Sequence, residues 1–130
     1  MKKLLYILLL PLLIQGCSVE SDPVEVILTY TTTGDDNYEG QATTQDIRWL
    51  FEPITISNWS QATIVMGLPQ PDSAGILDTI YVPNIPSDTV VYFAIVLCDE
   101  VGNCAGISNV AEKRTGDITS PAAVSDLKAL

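Results

Sequence analysis

The chain of 130 residues is long enough for one compact domain, and its 16 acidic side chains against 6 basic ones leave a formal net charge of −10 at pH 7. An acidic surface repels phosphate backbones, so we predict no binding to nucleic acid. The sequence contains no histidine, which removes the commonest general base and the commonest neutral metal ligand. No serine lies in a nucleophile motif, and no glycine-rich stretch has the frame of a phosphate loop. We therefore predict a protein that is not an enzyme and uses no cofactor.

The N-terminus is typical of a bacterial export signal. Lys2 and Lys3 form a positively charged start, and residues 4–14 form an apolar stretch too short to span a bilayer as a helix. The I-Q-G-C that follows, ending at Cys17, resembles the lipobox of bacterial lipoproteins. The resemblance implies that residues 1–16 are removed as a lipoprotein signal peptide and that Cys17 is acylated, with palmitate among the attached chains. The alternative is an ordinary secretory signal that precedes an incidental cysteine.

The lipid would also determine where the protein resides. Two or three acyl chains hold a protein durably at a membrane, whereas a single chain is marginal. The predicted partner is therefore the membrane, reached through the N-terminal lipid, with residues 17–23 as a lipidated linker. Ser18 follows the cysteine, where many inner-membrane lipoproteins carry Asp. In a two-membrane bacterium this family-level rule predicts the outer membrane or the cell surface.

The other two cysteines are predicted to form a disulfide. Cys98 and Cys104 remain as an even pair in an exported chain, which meets oxidising conditions. They bracket the turn-forming stretch D-E-V-G-N, and their spacing matches no common zinc or redox motif. In a hairpin the two would face each other across the strands, close enough to be bridged. Free thiols and a metal site are the alternatives.

Alternation of apolar and polar residues, rich in β-branched and aromatic side chains, predicts strands. Turn-forming stretches separate them, among them TGDDN, LPQPDSAG, VPNIPSD and EVGN. A single helical turn fits only within 56–63, where we expect Trp59 to cover an edge of the core. The pattern predicts an all-β fold, an immunoglobulin-like antiparallel β-sandwich. The predicted strands are 24–32, 46–51, 76–82 and 89–98.

Residues 24–116 resemble a bacterial fibronectin type III domain. ILTYTTTGDD stands where such domains carry the second strand and an acidic turn, and QDIRWLFEPIT matches the third strand. TVVYFAIVLCDEVGNCAGISNV resembles the penultimate strand, its turn and the start of the last strand. Tyr30 replaces the usual Trp, and Val91 stands where the corner tyrosine is expected. The usual first strand is absent, because only SVESDP separates Cys17 from the second strand.

The C-terminal residues 117–130 are predicted to be a linker and the first strand of a second, truncated domain. SPAAVSDLKAL (120–130) resembles the first strand that is missing from the N-terminal end. Two rival explanations are a truncated gene and a terminal strand that folds back onto the edge near Val26. The preferred interpretation predicts a mobile, protease-sensitive tail whose apolar side chains have no complete core to enter.

Acidic turns supply the only candidate metal ligands. In this fold the loop with Asp35 and Asp36 and the loop with Asp99 and Glu100 would emerge at one pole of the sandwich, and hard oxygen ligands suit calcium. Asp and Asn are also common in solvated turns, because they form local hydrogen bonds there. We prefer the solvated turns and predict no metal, with calcium at Asp35, Asp36, Asp99 and Glu100 as the alternative.

The sequence thus predicts a surface lipoprotein whose sandwich serves as a spacer or as a unit that binds a protein or a glycan. The alternative is an accessory domain of a larger exported enzyme whose catalytic part lies beyond residue 130. A fold by itself does not determine function, and no residue pattern in this sequence identifies a particular ligand.

Overall fold

The structure, a computed structural model, describes residues 22–116 and 121–130. The predicted signal peptide, Cys17 and the linker residues 117–120 lie outside these ranges. Within them, no helix is long and apolar enough to cross a membrane. The elements are β1 (Val24–Thr31), β2 (Thr44–Leu50), a 3-10 turn (Trp59–Gln61), β3 (Thr63–Ile64), β4 (Leu77–Ile85), β5 (Val90–Cys98) and β6 (Ala111–Arg114).

The strands form two antiparallel sheets. One has two strands in the order β1-β4, and the other has four in the order β3-β2-β5-β6. β2 and β5, at the centre of the larger sheet, pair from Thr44 and Cys98 to Leu50 and Tyr92. The all-β fold is confirmed, and two antiparallel sheets that share one core agree with the predicted sandwich.

The core forms because alternate side chains of each strand point toward the opposite sheet. The face predicted for β5 is the buried one, with Val91 and Phe93 at its centre. On β1, Val26 is buried, and Leu28 and Tyr30 pack partly buried on the same side. The central cluster is contributed by both sheets and consists of Val26, Ile47, Val65, Ile80, Val82, Ile85, Val91 and Phe93.

One turn prediction was wrong. VPNIPSD was predicted to separate strands, but β4 continues through its first four residues to Ile85. Val26 pairs with Val82 while Val24 pairs with Ile85, so β4 carries one extra residue there, and Asn84 has a φ of 60°. This is a β-bulge, which Asn tolerates better than most residues. Pro83 is accommodated because, among the described residues, β4 pairs on one edge only.

The predicted helical turn is present and places Trp59 over β2. The guanidinium of Arg48 lies 4.5 Å from the centre of the Trp59 ring, and its Nη1 donates to the Trp59 carbonyl at 3.1 Å. Arg48 also binds the Asp46 carboxylate at 2.7 Å. The Arg48 guanidinium and the half-buried Trp59 ring stack on each other and cover β2. This agrees with the prediction that Trp59 covers an edge of the core.

Candidate functional site

The predicted disulfide is present at one end of the sandwich. Cys98, the last residue of β5, is bonded to Cys104. The backbone N–H of Asp99 donates to the Asn103 carbonyl at 2.9 Å, which closes the turn between the two cysteines. We call this end, made of residues 33–40 and 98–104, the disulfide pole.

The carboxylate of Asp99 holds its own turn together. Its Oδ1 accepts the backbone N–H groups of Val101 at 3.0 Å and Asn103 at 2.8 Å, and its Oδ2 accepts the Asn103 side-chain amide at 2.8 Å. Partial desolvation works against ionisation, but the hydrogen bonds from Asn103 and Val101 outweigh it and hold the pKa of Asp99 below its usual value. Both carboxylate oxygens of Asp99 thus accept hydrogen bonds from its own turn.

The facing loop of the disulfide pole requires a glycine at its start. The N–H of Gly34 donates to the Asn37 carbonyl at 2.6 Å. A Cβ at Gly34 would lie 1.7 Å from the carbonyl oxygen of Glu39, so no larger residue fits without a shift of the loop. This tight turn directs Asp35 toward the turn between the cysteines.

At the disulfide pole, the surroundings of Asp35 disfavour its ionised form. Desolvation and then the negative charges of Glu100, Asp36 and Asp99 raise its pKa above the usual value. Its Oδ1 is buried and has no hydrogen-bond partner among the described residues. Ionised Asp35 therefore costs stability in this position.

The two loops predicted to share a pole do so. Asp35, Asn37, Asp99 and Asn103 line one small cavity beside the disulfide. Within residues 22–116 and 121–130, however, no three His, Cys, Asp or Glu side chains are arranged to hold a metal ion. The calcium alternative therefore gains no support from the geometry.

A larger feature, which the sequence analysis did not identify, is a groove of about 430 Å³ between β1 and the segment that leads into β6. Its first wall is formed by residues 28–31 of β1, and its floor by core side chains such as Ile47 and Phe93. Its second wall is formed by residues 105, 106, 108, 109 and 111. We call this feature the edge groove. The short stretch SVESDP between Cys17 and β1 was the sequence signal that pointed to this edge.

The second wall of the edge groove is fastened to β5. Ala105 donates to the Leu97 carbonyl at 2.8 Å, and Ser108 donates to the Ile95 carbonyl at 3.0 Å. The Ser108 hydroxyl in turn accepts the N–H of Ile95 at 2.9 Å. The groove is therefore bordered by backbone that is held in place.

Tyr30 joins the first wall of the edge groove to the four-stranded sheet. Its hydroxyl donates to Gln45 Oε1 at 3.0 Å and lies 3.5 Å from Asp78 Oδ2. Burial and the Asp78 carboxylate raise the pKa of Tyr30, so its hydroxyl stays protonated and acts as a donor. A tyrosine used in this way is a structural tie between β1 and β2.

Comparison with known proteins adds no relative: no family model, no curated protein and no solved structure matches the chain.

Proposed function

We propose that this chain is an exported lipoprotein of the bacterial envelope, whose non-catalytic sandwich serves as a spacer or as a unit that binds a protein or a glycan. The observation that carries the proposal is the Cys98–Cys104 disulfide. Structural disulfides persist in oxidising compartments and are rare in the bacterial cytosol. The disulfide thus supports export of the chain. The lipobox-like sequence that ends at Cys17 supports a lipid anchor.

We further propose that the sandwich is of the fibronectin type III kind and lacks its first strand. The supporting observation is the strand order. The second, third, fifth and sixth strands of an immunoglobulin-like sandwich would correspond to β1, β2, β4 and β5, which divide between the two sheets in the expected way. The first strand of such a domain would lie beside β1, on the edge that borders the groove.

Substitution of the predicted lipidated cysteine tests the proposal. In the bacterial host, Cys17→Ser should abolish labelling by a fatty-acid analogue and release the protein from the membrane fraction. Cys104→Ser is the control, because it removes a cysteine outside the lipobox; it breaks the disulfide but should leave labelling and membrane retention unchanged. Continued labelling and membrane retention of Cys17→Ser would refute the lipid anchor.

A further inference from the structure

The outer edge of β1 is open along the edge groove. In the part of the chain that the structure describes, β1 pairs with β4 alone. Four consecutive residues, 28–31, contribute atoms to the lining of the groove. Since consecutive side chains of a strand point to opposite faces, a groove lined by all four follows the edge of the strand. Unpaired backbone groups beside an apolar floor are what an added strand requires.

The same chain carries a segment suited to this position. Residues 121–130 form no regular structure and are exposed, with Val124 76% and Leu127 89% accessible. The charges of Asp126 and Lys128 cancel, so the segment adds no net charge to an acidic surface. In an extended conformation, at about 3.3 Å per residue, it is longer than β1. It is also the segment whose sequence resembles the absent first strand.

We propose that the edge groove receives residues 121–130 of a second copy of this chain as an added strand, antiparallel to β1. The pairing would supply the missing strand of each sandwich from its partner. It goes beyond the function proposed above, because the contact does not depend on the lipid anchor.

The direction of the strands favours a second copy over the chain's own tail. β1 ends at the disulfide pole, where Gly34 and Cys104 line one cavity. β6 ends at the opposite pole, where the N–H of Asp88 donates to the Gly116 carbonyl at 3.2 Å, close to the start of β1. A tail that turned back from Gly116 would run parallel to β1. A tail from a second copy is free to run antiparallel, which is the more stable pairing per residue.

The alternation of the segment predicts which face would enter the edge groove. In a strand, Ala123, Ser125, Leu127 and Ala129 share one face, and Val124, Asp126 and Lys128 share the other. The face with two charges would remain in water, so Leu127 is the predicted anchor among small neighbours. Small residues also line the second wall of the groove, including Ala105, Gly106 and Ala111.

The first test measures the molar mass of the native chain in detergent micelles by light scattering during size-exclusion chromatography. We expect a dimer that dissociates on dilution and that a synthetic peptide of residues 121–130 converts into monomers. Leu127→Asp should raise the dissociation constant roughly tenfold to a hundredfold, because the burial of a leucine side chain is lost. Val124→Asp, on the opposite face, should leave it nearly unchanged.

A second pair of variants tests the groove itself. A Cβ added at Gly106 or at Gly116 meets no described atom within 4 Å, and neither residue has a positive φ. Gly106→Trp should therefore fill the edge groove without disturbing the fold and weaken the dimer, whereas Gly116→Trp, outside the groove, should not. Equal thermal unfolding temperatures of the two variants would show that both are folded.

Amide hydrogen exchange distinguishes the remaining outcomes. Protection of residues 121–130 that disappears on dilution supports exchange of the strand between two copies. Protection in a monomer would place the segment in its own groove and overturn the second copy as occupant. A monomer at all concentrations with unprotected amides, or a dimer unaffected by Leu127→Asp and Gly106→Trp, would overturn the site. Because none of these readouts depends on Cys17, failure here leaves the lipid anchor untouched, and the reverse also holds.

Discussion

The two sheets contribute to one core but differ in how their backbones are paired. β5 has neighbours on both sides, β2 and β6, and β2 also pairs with β3. In the described residues β1 and β4 pair only with each other, yet they supply Val26, Ile80, Val82 and Ile85 to the core cluster. The two sheets thus contribute almost equally to the side chains of the core cluster, whereas most strand-to-strand backbone pairing lies in the four-stranded sheet.

Packing of side chains against the larger sheet, more than backbone pairing, therefore holds the two-stranded sheet in place. A two-stranded sheet is marginal in water by itself and needs a packed face for stability. β1 and β4 gain that face from the four-stranded sheet, and among residues 22–116 and 121–130 each of them has one edge that pairs with no other strand.

The largest expected effect comes from the core that both sheets share. Phe93 is 2% exposed and lies at the centre of the core, so Phe93→Ala should lower the free energy of unfolding by about 3–5 kcal/mol. Phe51, which is 58% exposed, provides the matched control, and Phe51→Ala should cost under about 1 kcal/mol. Urea denaturation followed by tryptophan fluorescence measures both. Similar losses for the two variants would contradict the assignment of the core.

The disulfide fastens the four-stranded sheet where the second wall of the edge groove begins. Replacement of Cys98 and Cys104 together by Ala should lower the free energy of unfolding by roughly 2–2.5 kcal/mol, because the unfolded chain regains the freedom of a short loop. The measurement is urea denaturation without a reducing agent. The same loss should follow when the native protein is reduced, and a native protein that reduction leaves equally stable would contradict this prediction.

The end of β6 is held by a side-chain clip. Thr115 is buried, and its hydroxyl accepts the N–H of Thr89 and donates to the Thr89 carbonyl, both at 3.0 Å. Thr115→Val preserves the shape but leaves the N–H of Thr89 without that partner, so we expect a loss of about 1–2 kcal/mol in the free energy of unfolding. Thr79→Val on the exposed face of β4 is the control and should have little effect. Thermal unfolding of both variants measures the effect. Equal unfolding temperatures for Thr115→Val and Thr79→Val would contradict a stabilising role of the Thr115 hydrogen bonds.

The smallest expected effect is a gain of stability at the disulfide pole. The pKa of Asp35 is raised in the folded state, so its contribution is favourable at low pH and is lost as the pH rises through the raised pKa. Asp35→Asn removes the charge and should raise the unfolding temperature at pH 7. The gain should shrink as the pH falls below the raised pKa of Asp35 and should vanish below the ordinary pKa of an aspartate.

Asp126→Asn, in the exposed tail, is the control for this charge change and should not alter the unfolding temperature. An Asp35→Asn variant that melts at a lower temperature than the parent at pH 7 would show that ionised Asp35 has a favourable partner after all.

Much of the fold could be predicted because strand patterns are local. The alternation in 89–98 identified the buried face of β5, and the C-x5-C spacing across a turn identified the disulfide, since residues on either side of a hairpin turn face each other whatever the rest of the chain does. The extension of β4 through Pro83 was missed. A proline is a turn signal in sequence, and it is accepted within β4 because it lies at a bulge of a strand that pairs on one edge among the described residues.

The all-β class, the alternating core positions and the disulfide could be predicted from the sequence, because each depends on residues that are close along the chain. The signal for export and lipidation stays a prediction. Three features could be seen only in the tertiary structure. Asp99 accepts hydrogen bonds from its own turn, the pKa of Asp35 is raised, and the edge of β1 borders a groove. These features join residues as far apart as Leu28 and Ala105, and their distances are set by how the two sheets pack together. No local pattern encodes that packing, since it depends on the volumes and orientations of side chains from every strand at once.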